Sequence, residues 1–558
     1  MAASPPPPGD GADDDVITSA PATPAASAAG PVTTRPPPTD LHAWRATLAR
    51  ARGGRALLDA LIEPHDAARL IPKLPIDDLH AYVHRIGLAD ADAVLALASD
   101  AQVRGMLDTD IWTRDTLALD RVDPWLTALM RAGPKVLTTR LLALDDGLLS
   151  WLIRRTVETI VIDDPNDFEP PDGEYVVTPD GALCIRFPHG EPRDLPIKVF
   201  LDRLMRDDAE LCINLLVHSQ VALDSNLEED AYRWRSGRMA DRGYVDYYDA
   251  LAIYTAPRAD QIRDAQAAIP ADAPAVERWL VPVLAPAARL ADAFGALDPD
   301  AIDAVQGALG YIANMALSAD RVEPWDDAAQ AATLDRLRAG LVLGLDALAG
   351  PDADPARDAE VLAQTTLALV FRTGYARTLE AAAPLRRALK DDLLTGLGGR
   401  VDGVDLPALR PWAESLADRH PHGPDGPFIN ADQLAHARHR AALIAELGRV
   451  AGRERPRAIG VGAWLITWMT RDLIGLDGPG ALPADRLGDA HRALFARGRL
   501  TPAAHEAAAD WWRRAGGDDP FALEQLVDAA TEALAGIAPG DLDPRYLPLW
   551  YVGEPSTP

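Results

Sequence analysis

Four arginines, Arg233, Arg235, Arg238 and Arg242, stand around Trp234 in the stretch EEDAYRWRSGRMADRG, Glu228 to Gly243. At about 100° per residue on a helix, Glu228, Arg235, Arg238 and Arg242 fall on one side, with Ala231 between them. Glu229 and Arg233 are an i,i+4 pair in the favoured order. Gly243 suits a C-cap, with the arginines near the negative end of the dipole. A guanidinium fork matches a carboxylate or a phosphate bidentately, so two uses of this face compete. In one, Glu228, Arg235, Arg238 and Arg242 form an anion or interaction face for a phosphate, a carboxylate or a partner's acidic motif. In the other, the arginines bridge neighbouring helices through carboxylates such as Glu228, Glu229 and Asp241. Acids within the stretch neutralise much of its positive charge, which favours the second use. Glu229, Arg233, Trp234, Gly237, Asp241 and Gly243 then read as structural.

Histidines offer a different chemistry. His80 and His84 are four apart on an expected helix, a spacing that two metal ligands can use. The sequence places no carboxylate beside them, so they read as exposed histidines. His420, His422, His436 and His439, in HPH and HARH, can supply four nitrogens, but chance clustering in a polar loop is the simpler reading. HEAAADWW at His505 is not the HExxH zinc motif, because Ala509 stands where the second histidine would fall. GVGAWL, from Gly460, lacks the third glycine of GxGxxG, and no phosphate-binding loop, GxSxG elbow or kinase set occurs. Asp77-Asp78 and Asp145-Asp146 read as helix caps and solvated faces rather than cation sites. No catalytic residue, metal or cofactor is therefore assigned, and enzyme activity stays open with the balance against it.

These candidates sit in a chain of 558 residues, 48% hydrophobic and 25% charged, with a net charge of -29. Such a length holds several domains and a core that needs neither disulfide nor metal. The acidic field repels nucleic acid and anionic membranes, so neither is expected as a partner. Two cysteines, Cys184 and Cys212, fit a reducing cytoplasm. No secretory signal is visible. AIGVGAWLITWM, Ala458 to Met469, falls short of the roughly 20 residues of a spanning helix and reads as a buried core helix.

The elements that must carry the candidates are mostly helices. Residues 1–38, rich in Pro and Ala, are expected to be a disordered tail. From 41 to 160 come short helical units, with start signals at Pro64, Pro75, Asp90 and Ser99 and apolar residues such as Leu79, Val83 and Ile86 at helical spacing. Single short helices are marginal in water, so these are expected to stack into a helical repeat, superhelical in form. In 163–196, EYVV and ALCIRF flank TPDG, which predicts one β-hairpin with its apolar face on helices. A helical segment, 197–265, carries the arginines. A C-terminal helical array, 275–545, has breaks at Gly350–Pro355, Gly398–Val404, His420–Pro427 and Gly475–Pro483. An extended tail, 546–558, straps its aromatic residues onto the body. The fold class expected is mainly all-α.

Two resemblances add to this. LEEDAYRWRSGRMADRGYVDYYDALAIY resembles the signature of an uncharacterised bacterial family of unknown function, from delta-proteobacteria and myxobacteria. The matching positions are Glu228, Glu229, Arg233, Trp234, Arg235, Gly237, Arg238, Asp241, Gly243 and Tyr244; Arg242 stands where that pattern has Leu. VVTPDGALCIRF, ALGYIANMALSADRVEPW, GLVLGLDAL and VFRTGYARTL share the likeness, which implies one architecture and no activity. IPKLPIDDLHAYVHRIGLADADAVLAL is similar to the short-helix cytoplasmic domain of MgtE-type magnesium transporters, which implies a superhelical shape without transport. The leading expectation is a non-catalytic cytoplasmic scaffold or regulatory adaptor that binds another protein. The alternatives are an anionic-ligand-binding protein or unrecognised enzyme using the arginine helix, and a divalent-cation-responsive helical domain.

Overall fold

In the computed structural model, residues 40–164, 168–258, 288–352 and 354–553 are described. The expected tail at 1–38 lies outside them, as do the junction around 265–275 and residues 554–558. About 65% of the chain is helical and strands are few and short, so the fold is mainly α. Among the described residues, no helix is long and apolar enough to cross a membrane.

The short N-terminal helices begin where their caps predict. Pro75 precedes the helix Ile76–Ile86, whose first turn holds Asp77 and Asp78. Ser99 and Gln102 form a complete capping box for Asp100–Asp110, which satisfies two otherwise orphaned backbone donors. Leu79 and Val83 are fully buried, as their spacing requires. They join an apolar cluster that extends from Trp44 to Ala231. A second cluster gathers Ala250 to Tyr375, and a third Leu343 to Trp550.

The hairpin region contains more than a hairpin. β1 (Trp112–Thr113) and β2 (Thr116–Leu117) form a small unexpected ribbon with a two-residue loop. β3 (Glu158–Val161) falls in the stretch expected to be helical, and pairs antiparallel with β5 (Leu183–Phe187). The expected hairpin partner, β4 (Glu174–Val177), takes the other edge of β5. The result is a three-stranded sheet with β5 in the centre. Leu183, Ile185 and Phe187 are buried among helices of the N-terminal cluster, the apolar face that the alternation predicts. Cys184 is buried as well.

Two glycine-bearing motifs become intelligible in the packing of Asp327–Leu348 on Leu367–Lys390. A Cβ added at Gly374 would overlap the carbonyl oxygen of Gly340 and crowd the amide nitrogen of Gly344. Only glycine allows such close backbone approach. The apolar run near Gly460 is the core helix Val461–Leu473, with Trp464, Leu465, Ile466 and Met469 buried. Its N-terminal amides are taken by a carboxylate of the chain itself: Gly462 and Ala463 donate to Asp405 at 2.6 and 2.9 Å. Near the C-terminus, Trp550 is buried and donates to Thr470 Oγ1 at 3.2 Å. Tyr546, expected to strap down with it, is exposed.

Candidate functional site

Arg233, Arg235 and Arg238 lie on one helix, Asp224–Asp241, and Arg242 is its C-cap. It ends in a Schellman cap: Gly243 has φ +83°, Gly243 N donates to Ala240 O at 2.9 Å, and Tyr244 N to Met239 O at 2.9 Å. A left-handed φ at this position is what glycine supplies without strain.

Glu228, Arg235, Arg238 and Arg242 share the face expected of them, but their partners are not the local acids. Arg238 is gripped by two carboxylates: Nε and Nη2 donate to Asp108 at 2.7 and 2.8 Å, and Nη1 and Nη2 donate to Asp145, both at 2.7 Å. Burial disfavours its charge, but these hydrogen bonds outweigh it and raise its pKa further above the ordinary value. Arg242 donates to Gly105 O at 2.8 Å and pairs with Asp77. Glu228 accepts from Leu117 N at 2.8 Å. The predicted bridge through Glu229 and Asp241 is therefore corrected: both are exposed, and Glu229 makes no ion pair with Arg233. An i,i+4 pair in water contributes too little to hold two long side chains together.

Arg235 is the exception on this face. Its Nε donates to Asp108 O at 2.6 Å, and its guanidinium lies 5.3 Å from the Trp112 ring centroid and 5.9 Å from that of Tyr232. Among the described residues it has no carboxylate within ion-pair distance. Burial lowers its pKa from the ordinary arginine value. It borders a cleft of about 530 Å³ that Arg114, Arg121 and Arg321 also line, together with Trp112 and the tyrosines 232, 244, 247, 248 and 311. Cleft acids are Asp246, Asp249 and Glu323; burial raises the Glu323 pKa. Arg114 and Arg321 approach the Tyr247 ring to 5.7 and 4.4 Å. Both have positive φ, 62° and 54°. Arg114 occupies a hairpin turn that asks for this conformation. Arg321 occupies the Schellman position of Pro299–Asp320, where glycine is usual.

A family model described as a family of unknown function, DUF6178, matches residues 39–553. The chain belongs to the DUF6178 family. No curated protein and no solved structure matches it. Within this DUF6178 chain the remaining signature residues divide by position. Trp234 is 63% exposed, Arg233 and Gly237 face solvent, and Tyr244 donates to Asp77 at 3.0 Å.

The histidine candidates are redistributed. His80 is fully buried and His84 half-buried, not exposed. Asp110, at the end of the helix Asp100–Asp110, comes beside them, and the three donor atoms lie within 4.8 Å of one another. The four C-terminal histidines do not converge. His420 bridges Tyr375 and Asp320 at 3.0 Å each, and His422 meets Ser415 O. His436 lies against Trp412 and His439 against Phe521. Asp110, Arg114 and Arg321 escaped the sequence reading. Only the cap position of Arg321, just after a long amphipathic run, carried any signal.

Proposed function

We propose that this DUF6178 chain binds a small anionic molecule, phosphate- or carboxylate-bearing, in the cleft beside the arginine helix. The observation that carries this reading is Arg235: half-buried, over the Trp112 and Tyr232 rings, bordering the cleft and, among the described residues, without a carboxylate in ion-pair range. Desolvating a cation without pairing it is costly, and an anionic ligand would relieve that cost. The cleft volume is in the range of small-molecule sites, and its tyrosines supply flat surfaces for a ligand ring. The arginine fork suits phosphate and carboxylate alike.

The test is native mass spectrometry of the chain purified from its host, followed by calorimetry with the released compound or a panel of nucleotides and dicarboxylates. A bound anion should be weakened about 10- to 100-fold by Arg235→Met, the equivalent of roughly 1.5–3 kcal/mol for a hydrogen bond to charge. Arg233→Met, on the solvent side, should leave affinity unchanged. Equal affinity in the wild type and the Arg235 variant would sink the reading.

A second reading, the protein-binding scaffold or adaptor, is favoured by Trp234. A tryptophan 63% exposed on the solvent side of its helix is of the type that anchors interfaces. A partner co-purifying at fixed stoichiometry and lost on Trp234→Ala would support it; retention in that variant would count against it. The magnesium-type cation-responsive reading, which needs acids converging between helices, has less support. The acids that meet between helices, Asp108 and Asp145, meet around the Arg238 guanidinium, where a divalent ion would have to sit.

A further inference from the structure

His80 and His84 present their Nε2 atoms to each other at 3.1 Å. His84 Nε2 also stands 3.5 Å from Asp110 Oδ2. Without a cation this arrangement is frustrated. A proton on His84 Nε2 can point at His80 or at Asp110, but not at both. A His84 ring protonated at Nδ1 turns a lone pair on the carboxylate. Protonated at Nε2 instead, neutral His84 has one N–H to serve two acceptors, His80 Nε2 at 3.1 Å and Asp110 Oδ2 at 3.5 Å.

A metal ion removes the conflict by accepting all three lone pairs. Bonds of about 2.0–2.1 Å in tetrahedral geometry place neighbouring donors roughly 3.3 Å apart, between the two separations found. The i,i+4 spacing puts both imidazoles on one face of Ile76–Ile86, and Asp110 closes the set from the end of Asp100–Asp110. Trp125 donates its indole N–H to Asp110 Oδ2, the kind of outer hydrogen bond that orients a ligating carboxylate. His80 Nδ1 has no hydrogen-bond partner; with Nε2 given to the ion, the ring proton would sit on that nitrogen. The Trp325 ring stacks on His84 at 3.4 Å and 12° and meets His80 edge-on at 4.7 Å, walling the site.

We infer that His80, His84 and Asp110 form a binding site for one first-row divalent transition ion, with zinc the best fit to two imidazoles and a carboxylate. Magnesium and calcium are disfavoured because they prefer all-oxygen donors. Three protein ligands leave at least one coordination position for water or another small ligand. The cleft lies close by: Thr109 precedes Asp110 in the chain, Pro324 precedes Trp325, and both line it. The site stands whether or not the cleft binds an anion.

The test uses the untagged full chain, purified without chelator, with elemental analysis by mass spectrometry. It is then stripped and titrated with Co(II). The expected result is one ion per chain and the visible absorption of four-coordinate Co(II), both lost in His84→Ala and Asp110→Asn. Absence of metal from the purified chain together with no Co(II) absorption overturns the inference. So does full metal content in both variants. Should the variants not fold, X-ray absorption of the zinc-loaded wild type decides: two imidazole ligands support the site, and fewer than two overturn it.

Discussion

Replacing Arg238 by Met tests whether the arginine face is divided into a structural and a ligand-binding part. The Arg238 side chain is 21% exposed, and its partners Asp108 and Asp145 are 1% and 11% exposed. Methionine keeps most of the stem and removes the fork. Two carboxylates then lie side by side in a site built for a cation. Breaking a buried pair by removing one partner costs about 3–5 kcal/mol, whereas an exposed pair contributes about 1 kcal/mol or less. At about 1.4 kcal/mol per decade, the buried case lowers local stability by roughly a thousandfold. The readout is amide hydrogen exchange by mass spectrometry on peptides from 100–110, 146–156 and 224–241. That local readout suits a chain with several cores, where a single unfolding midpoint is poorly defined. Arg235→Met loses one backbone hydrogen bond and two ring contacts, so about 1–2 kcal/mol is expected. Adding Asp108→Asn and Asp145→Asn to Arg238→Met should restore part of the protection, because no charge is then left buried alone. A protection loss below about 1 kcal/mol in Arg238→Met would refute the argument that this pair is desolvated. Equal losses for Arg238→Met and Arg235→Met would refute the division of labour.

Three further outcomes follow from the geometry. Asp320 is buried, which raises its pKa, but His420, Arg336 and Tyr254 outweigh that and lower it from 3.8 to about 2. The folded value lies below the unfolded one, so its stabilisation is present above about pH 4 and is lost as pH falls towards 2; at about 1.4 kcal/mol per unit this is roughly 2 kcal/mol. Acid titration of unfolding should show Asp320→Asn lacking that dependence, with the two curves converging near pH 2. Gly374→Ala forces a Cβ into the facing helix backbone and should cost about 3 kcal/mol or more, read as faster exchange in 327–348 and 367–390. Arg321→Gly relieves a left-handed arginine and should stabilise the chain by up to about 1 kcal/mol, while ligand affinity in the cleft falls; unchanged affinity would remove Arg321 from the site.

The helical class, the cap at Gly243, the buried helix at Gly460 and the shared face of Glu228, Arg235, Arg238 and Arg242 were legible because each depends on neighbours within a few residues. What those side chains meet was not. Asp108 and Asp145 reach Arg238 from helices far back in the chain, and no local pattern distinguishes them from the capping acids they resemble. Asp145 stands at the N-cap position of Asp146–Thr156, but its carboxylate caps no amide there and holds the guanidinium instead. The histidine pair shows the same limit. Its spacing was visible, but Asp110 and Trp325 arrive through tertiary packing, and without them two histidines on a helix mean little. β3 was missed because a four-residue edge strand following a helix, ETIV, carries too short an alternation to be told from a frayed helix end.

The connection from Asp320 to Asp326 serves three sites at once. Asp320 accepts hydrogen bonds from Tyr254 at 2.9 Å and Thr333 at 3.0 Å and pairs with Arg336. Arg321 turns into the cleft, and Trp325 covers the histidines. Its far end is fixed too: Asp326 caps the next helix by accepting from Ala329 N at 2.9 Å, and Gln330 donates to Pro324 O at 2.7 Å. With both ends pinned, the few residues between have little freedom to relax separately. If a cleft ligand moves Arg321 and a bound ion fixes His84, this short connection is the route by which each event would reach the other. Coupling of this kind must be reciprocal. If both sites are occupied in the cell, the affinity change that zinc causes in the cleft must equal the change that the anion causes at the histidines.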